Sequence, residues 1–197
     1  MGWRRSGSGA LCGVVSCVVG VMVCVVVVAM VVYLMFRPNL LHATAAQAEL
    51  STFSLALKAW TLTYNLSLAV DLTRHNARLA LRYHSLTADA YYQDQRFAHT
   101  RLPDFAQPAI TNTTRLTPSF HGRQQLFAGV AAAAFRREDT QGTYSIHVFI
   151  DAKTHINLAW PITLPGPNIN LHCPLRLHLS NATADHFFHP TACHISY

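Results

Sequence analysis

The sequence predicts a mainly β chain, with one N-terminal transmembrane helix followed by a two-sheet β-sandwich. Three observations predict it. An uncharged apolar run fills residues 10–36, apolar residues recur at every second position over much of the remainder, and short turn-forming clusters interrupt those alternating stretches. At 197 residues there is room for one ordinary domain and an appendage.

The apolar run reads ALCGVVSCVVGVMVCVVVVAMVVYLMF, 27 residues without a charge and with Ser16 and Tyr33 as its only hydroxyl side chains. As a helix it would be about 40 Å long, against a hydrocarbon core of about 30 Å. Valine is an indifferent helix former in water, but a single segment in lipid satisfies its backbone amides only as a helix. Ala43-Thr44-Ala45 has the small-x-small look of a signal-peptidase site, yet the run is about twice the length of a signal h-region and ends well before it. Met1-Gly2 with Ser6 fits the myristoylation pattern, although Trp3, Arg4 and Arg5 intervene. The expected organisation is a cytoplasmic tail over 1–9, a span over 10–36 that partners the lipid bilayer, a linker over 37–46 opened by the helix-ending Arg37-Pro38, and a β domain over 47–197.

Orientation follows from charge and sequons. Arg4 and Arg5 precede the run and only Arg37 closely follows, which places the N-terminus in the cytoplasm. Asn65-Leu66-Ser67, Asn112-Thr113-Thr114 and Asn181-Ala182-Thr183 all lie beyond it, so Asn65, Asn112 and Asn181 are the N-glycosylation candidates of a lumenal or extracellular domain. Cys173 and Cys193 lie near the C-terminus. They are either two buried thiols or a bridge closing a loop of about 20 residues, which would contribute roughly 3 kcal/mol.

Within the domain, Leu62, Tyr64, Leu66, Leu68, Val70 and Leu72 alternate with polar residues, which puts them on one face of a strand and turns Asn65 outward. Ile169, Leu171, Cys173, Leu175, Leu177 and Leu179 do the same, with His172, Arg176 and His178 opposite and Pro174 implying an edge or bulge. Further strands are expected over 47–57, 79–90, 91–101, 115–127 and 143–150, and a short helix over 128–137. Turns are expected at Arg74-His75-Asn76, Pro103-Asp104, Pro118, Gln141-Gly142 and Pro165-Gly166-Pro167-Asn168. Tyr91, Tyr92, Phe97, Phe105 and Phe120 are expected to fill the core.

The formal charge of +6 is no nucleic-acid signature. Without Arg4, Arg5 and Arg37, 12 basic residues face 9 acidic ones, thinly spread. All 12 histidines follow the apolar run, so the domain gains positive charge in mildly acidic surroundings. His186, His189, Cys193 and His194 have the residue types of a zinc site but not its spacing. Ser119 and Ser145 lie in no nucleophile elbow, and neither a phosphate-cradling loop nor a carboxylate pair is present. The expectation is a non-enzymatic chain without metal or cofactor.

Several motifs in order resemble one plant family. They are Phe36-Arg37-Pro38 at the exit of the span, Tyr64-Asn65-Leu66, and Arg82-Tyr83 with Tyr91-Tyr92-Gln93-Asp94-Gln95-Arg96-Phe97. Then come Pro103-Asp104-Phe105-Ala106-Gln107 with Asn112-Thr113-Thr114, Gly122 after Phe120-His121, and the cysteines Cys173 and Cys193. Over residues 33–197 the chain resembles the non-race-specific disease resistance / harpin-induced-like family, whose outer domain is of the second late-embryogenesis-abundant group. One departure is Arg74-His75-Asn76 where the family has Asn-Pro-Asn, a turn fixed by proline. The resemblance implies a single-pass plasma-membrane protein of plant defence, with an immunoglobulin- or fibronectin-like sandwich outside the cell that meets a protein or cell-wall partner. The late-embryogenesis relationship implies, as the alternative, a stress-protective structural protein; a further alternative, lipid binding within the sandwich, would require a cavity.

Overall fold

Ten strands carry most of this chain, and in the computed structural model they form one antiparallel sheet. The structure describes residues 8–35, 41–56, 58–74, 80–108, 111–125, 130–159, 162–180 and 188–197. Two compact units, Met1–Asn39 and Leu40–Tyr197, divide it.

The first unit is helix α1, Ser8–Met35, 28 residues with apolar side chains on every face. It matches the expected helical run to within two residues at either end. Side chains are described for residues 16–31, where the valines and methionines stand 49–62% exposed. That described stretch is shorter than the ~20 residues a bilayer requires, and among the described residues no helix is long and apolar enough to cross a membrane.

In the second unit the strands are β1 Leu41–Ala56, β2 Thr61–Arg74, β3 Ala80–Tyr92, β4 Gln95–Arg101, β5 Phe105–Gln107, β6 Thr113–Leu116, β7 Ser119–Gln125, β8 Thr143–Ala159, β9 Ile162–His178 and β10 Thr191–Ser196. Helix α2, Val130–Gln141, sits between β7 and β8. The sheet order is β4-β3-β8-β9-β10-β1-β2-β6, with β5 on β3 and β7 on β2. In a flat sheet β1 and β3 would lie about 19 Å apart, at ~4.8 Å per strand. Yet the ring of Phe53 on β1 meets Tyr92 on β3 at 5.2 Å, and Tyr64 on β2 meets Phe97 on β4 at 4.9 Å. The sheet therefore doubles over into two layers, and its apolar inner faces form one core.

The seam is β10. Thr191, Ala192 and Cys193 pair with Ala45, Thr44 and Ala43 of β1, whereas His194, Ile195 and Ser196 pair with His172, Leu171 and Asn170 of β9. One short strand thus belongs to both layers.

The alternation read in β2 holds: Leu62, Leu66, Leu68, Val70 and Leu72 are buried, and so are Ile169, Leu171, Cys173, Leu175 and Leu177 of β9. Other boundaries move. Residues 41–46, read as linker, open β1, because Ala43 and Ala45 are small inward residues against β2 and β10. The break expected at Ala90/Tyr91 falls at Gln93-Asp94, a two-residue hairpin turn with both φ positive (49° and 60°) but no glycine to announce it. Pro165-Gly166-Pro167-Asn168 is no turn but an irregular part of β9 opposite β8, marked by a register shift between Lys153 and His155. The strand expected over 115–127 divides into β6 and β7 at Pro118, where a turn is expected. The expected turn at Arg74-His75-Asn76 lies, apart from Arg74, outside the described residues.

Candidate functional site

The residues that carry the family resemblance turn out to build the scaffold. Tyr83 stacks on Phe105 at 4.5 Å and donates from its hydroxyl to Gln107 Oε1 at 3.3 Å. Gln107 is fully buried and donates from Nε2 to the Thr111 carbonyl. The Asn112 carbonyl accepts the Arg74 amide at 2.7 Å, and Arg74, itself buried, donates from Nη2 to the Pro108 carbonyl. Burial pushes the Tyr83 phenol up to about 12 and draws the Arg74 guanidinium down. Gly122, at φ 153°, lies where a Cβ would come within 3.1 Å of the Tyr64 hydroxyl. These contacts fix the strands and the loops between them.

Helix α2 is held by two further tyrosines. Tyr92 donates to Glu138 Oε2 at 2.9 Å, and Tyr144 donates to Asp139 Oδ1 at 2.6 Å. Burial, then the neighbouring carboxylates, raise both phenols far above their ordinary value.

Cys173 and Cys193 face each other across β9 and β10 with Cα atoms 4.4 Å apart, and a disulfide joins them. Cα atoms at that distance mark a directly opposed strand pair. Asn65 projects from the outer face of β2 and Asn112 is exposed ahead of β6. Asn181 and His186 lie outside the described residues. His189 is exposed, and His194 sits on β10 away from Cys193, whose sulfur is in the disulfide. Among the described residues no group of three or more histidines, cysteines or acids could hold a metal ion.

What sequence reasoning did not find is a row of rings on the outer face of β3, β8, β9 and β10. His147 Nδ1 lies 2.9 Å from His172 Nε2, so one ring donates and the other accepts. Phe149 stacks on His172 at 4.5 Å with its plane tilted only 6°, Tyr91 meets Phe149 edge-on, and His194 approaches His172 from β10. Tyr91, expected in the core, therefore faces outward. Burial, with His147 and His194 alongside, lowers the His172 pKa. His84 and His155 form a second stack at 4.4 Å. The alternation placed His172 and His178 on the outer face of β9; only the pairing of β8 with β9 reveals which rings meet them.

Beside this row, where β9 runs past the end of β10, opens a cavity of about 820 Å³. Pro174 sits there, so its missing amide falls where β9 has β8 on one side and no named strand on the other. Strand β8 supplies Thr143, Ser145 and His147, β9 supplies Arg176 and His178, the approach to β10 supplies Phe188 and His189, and β10 itself supplies Thr191. His178 Nδ1 donates to the Gly142 carbonyl at 2.8 Å.

Fold and site together define a class, that of a mainly β protein whose doubled sheet is closed by a disulfide and accompanied by an apolar N-terminal helix. No protein-family model matches the sequence. NDR1/HIN1-like protein 10 of Arabidopsis thaliana is 31% identical over 154 residues, which cover 75% of this chain and 67% of that protein. NDR1/HIN1-like protein 3 of the same plant is 27% identical over 176 residues, covering 87% and 74%. The chain belongs to the NDR1/HIN1-like family. That membership suggests a defence-related plant protein. Among solved structures, a protein from Archaeoglobus fulgidus has a TM-score of 0.32 at 7% identity, covering 70% of this chain and 98% of its own. The solution structure of AT1g01470 from Arabidopsis thaliana has a TM-score of 0.31 at 13% identity, covering 74% and 85%. Neither likeness is close enough to define the fold.

Proposed function

We propose that this is a plasma-membrane-anchored, non-enzymatic protein of plant defence signalling that presents its β domain outside the cell to a protein or cell-wall partner. The observation that carries the proposal is α1. A helix of 28 residues is about 42 Å long at ~1.5 Å per residue, and one that is apolar all round has no wet face to turn to water. Arg4 and Arg5 before it set the tail in the cytoplasm. The exposed sequons at Asn65 and Asn112 and the disulfide suit the oxidising side of the membrane. The doubled antiparallel sheet is read as an immunoglobulin- or fibronectin-like sandwich of the second late-embryogenesis-abundant group.

A tagged full-length chain imaged after plasmolysis tests the anchor, and glycosidase treatment tests the side. The expected outcome is fluorescence that follows the retracting plasma membrane and a gel shift lost in Asn65→Gln/Asn112→Gln/Asn181→Gln. A diffuse, unglycosylated product refutes the topology. A lipid-binding domain, the alternative, would have to seat its ligand in a cavity where Ala48, Pro174, Leu175, Leu177 and Phe188 are mixed with Arg176 and three histidines.

A further inference from the structure

The cavity beside β9 has a one-sided chemistry. Its ionisable lining is Arg176, His147, His178 and His189, all basic, and no carboxylate lines it among the described residues. Thr143, Ser145 and Thr191 add three hydroxyls, and Pro174 and Phe188 add apolar rings. Arg176 is exposed on the outer face of β9, opposite Ser145 in the register. A guanidinium there offers a planar fork that matches a carboxylate or phosphate. Hydroxyls and imidazoles beside it match the hydroxyls of a sugar, and ~820 Å³ falls within the range of small-ligand sites.

From this lining we infer that the cavity is a binding site for an anionic sugar, a small carboxylate- or phosphate-bearing saccharide, with Arg176 as its anchor. Arg176 grips the anionic group, and Ser145, Thr143 and Thr191 take ring hydroxyls. The imidazoles can add positive charge in mildly acidic surroundings. His147 meets His172, which His194 approaches from its other side, and shares an adjoining hollow with Asp94. Among the described residues His178 meets the Gly142 carbonyl and the Thr143 hydroxyl. The inference concerns residues 40–197 alone and stands whether or not α1 crosses a membrane.

Calorimetric titration of the full chain in detergent micelles tests it, with trigalacturonate, glucose 6-phosphate and neutral maltotriose as probes at pH 5.5 and 7.5. At least one anionic probe is expected to bind, at least tenfold more tightly than maltotriose and more tightly at pH 5.5. Trigalacturonate alone binding marks a carboxylate site, glucose 6-phosphate alone a phosphate site. Arg176→Gln is expected to weaken binding about tenfold or more, and Arg176→Lys to restore part of it. Arg123→Gln, on β7 of the other layer, is expected to leave it unchanged. An unchanged thermal midpoint shows that each variant is folded. The inference is overturned if neither anion binds, if maltotriose binds equally well, or if Arg176→Gln binds like the parent. An affinity that does not respond to pH removes the histidines from the site.

Discussion

Replacing both Cys173 and Cys193 by alanine isolates what the disulfide contributes. The two residues are 20 apart in sequence. On the chain-entropy relation, releasing a loop of that size returns freedom to the unfolded chain worth about 3 kcal/mol at 25 °C. Cys173 is fully buried, so loss of its sulfur from the core adds a smaller cavity penalty. For a folded unit of this size, Leu40–Tyr197, each kcal/mol corresponds to about 2–4 °C. Thermal unfolding followed by near-ultraviolet circular dichroism should therefore show a midpoint about 6–12 °C below that of the parent. The parent in excess reductant should fall by a similar amount, and the double variant should not respond to reductant at all. A midpoint within about 2 °C of the parent would refute the reasoning, since it would mean that the strand pairing of β10 alone constrains the loop.

Other perturbations read other parts of the molecule. Phe53→Ala removes a 3%-exposed ring that touches Tyr92, Phe97, Phe135 and Tyr144 across both layers, and should cost about 3–5 kcal/mol in urea unfolding. Tyr92→Phe withdraws the hydroxyl from buried Glu138 and should cost about 1–3 kcal/mol, with amide exchange accelerating first in α2. Arg115 donates to both carboxylate oxygens of Asp71 at 2.7 and 2.8 Å, and this hydrogen bonding holds the Asp71 pKa down. The stabilisation is present above the ordinary aspartate value of about 3.9 and fades as pH drops through the lowered one. Arg115→Gln should then be less stable than the parent at pH 7, and the difference should shrink as pH falls below about 3.9. Tyr83, pushed up to about 12 by burial, contributes stability that is complete below its unfolded value of about 10 and is lost as pH rises through 12. Ultraviolet titration should show Tyr83, Tyr92 and Tyr144 ionising only with alkaline unfolding; early ionisation of all seven tyrosines would contradict it.

The parts of this fold that were legible were those where one physical requirement dominates. Leu62 to Leu72 alternate because one face of β2 is dry and the other wet, and nothing nearby competes with that period. The apolar helix was equally plain. Boundaries failed where the deciding interaction is distant: residues 42–46 are polar or small and become strand only because β2 and β10 flank them. The Gln93-Asp94 turn carries no glycine, so its positive φ values were invisible beforehand. Proline and glycine at 165–167 suggested a loop, but the long β8 partner carries the chain through them. The cavity could not be read at all. Its arginine and histidines come from two strands and the approach to a third, and only the register sets Arg176 opposite Ser145 and His147 opposite Pro174.

Because β10 pairs with β1 over its first half and with β9 over its second, the final strand acts as a clasp across the fold, and its bond to Cys173 lies at the middle of the grip. A protease that cut between Ser180 and Phe188 would therefore release nothing. The severed tail would stay in register, held by hydrogen bonds to two neighbours and one covalent link. Such a nicked molecule would migrate as a single species until its sulfurs were reduced.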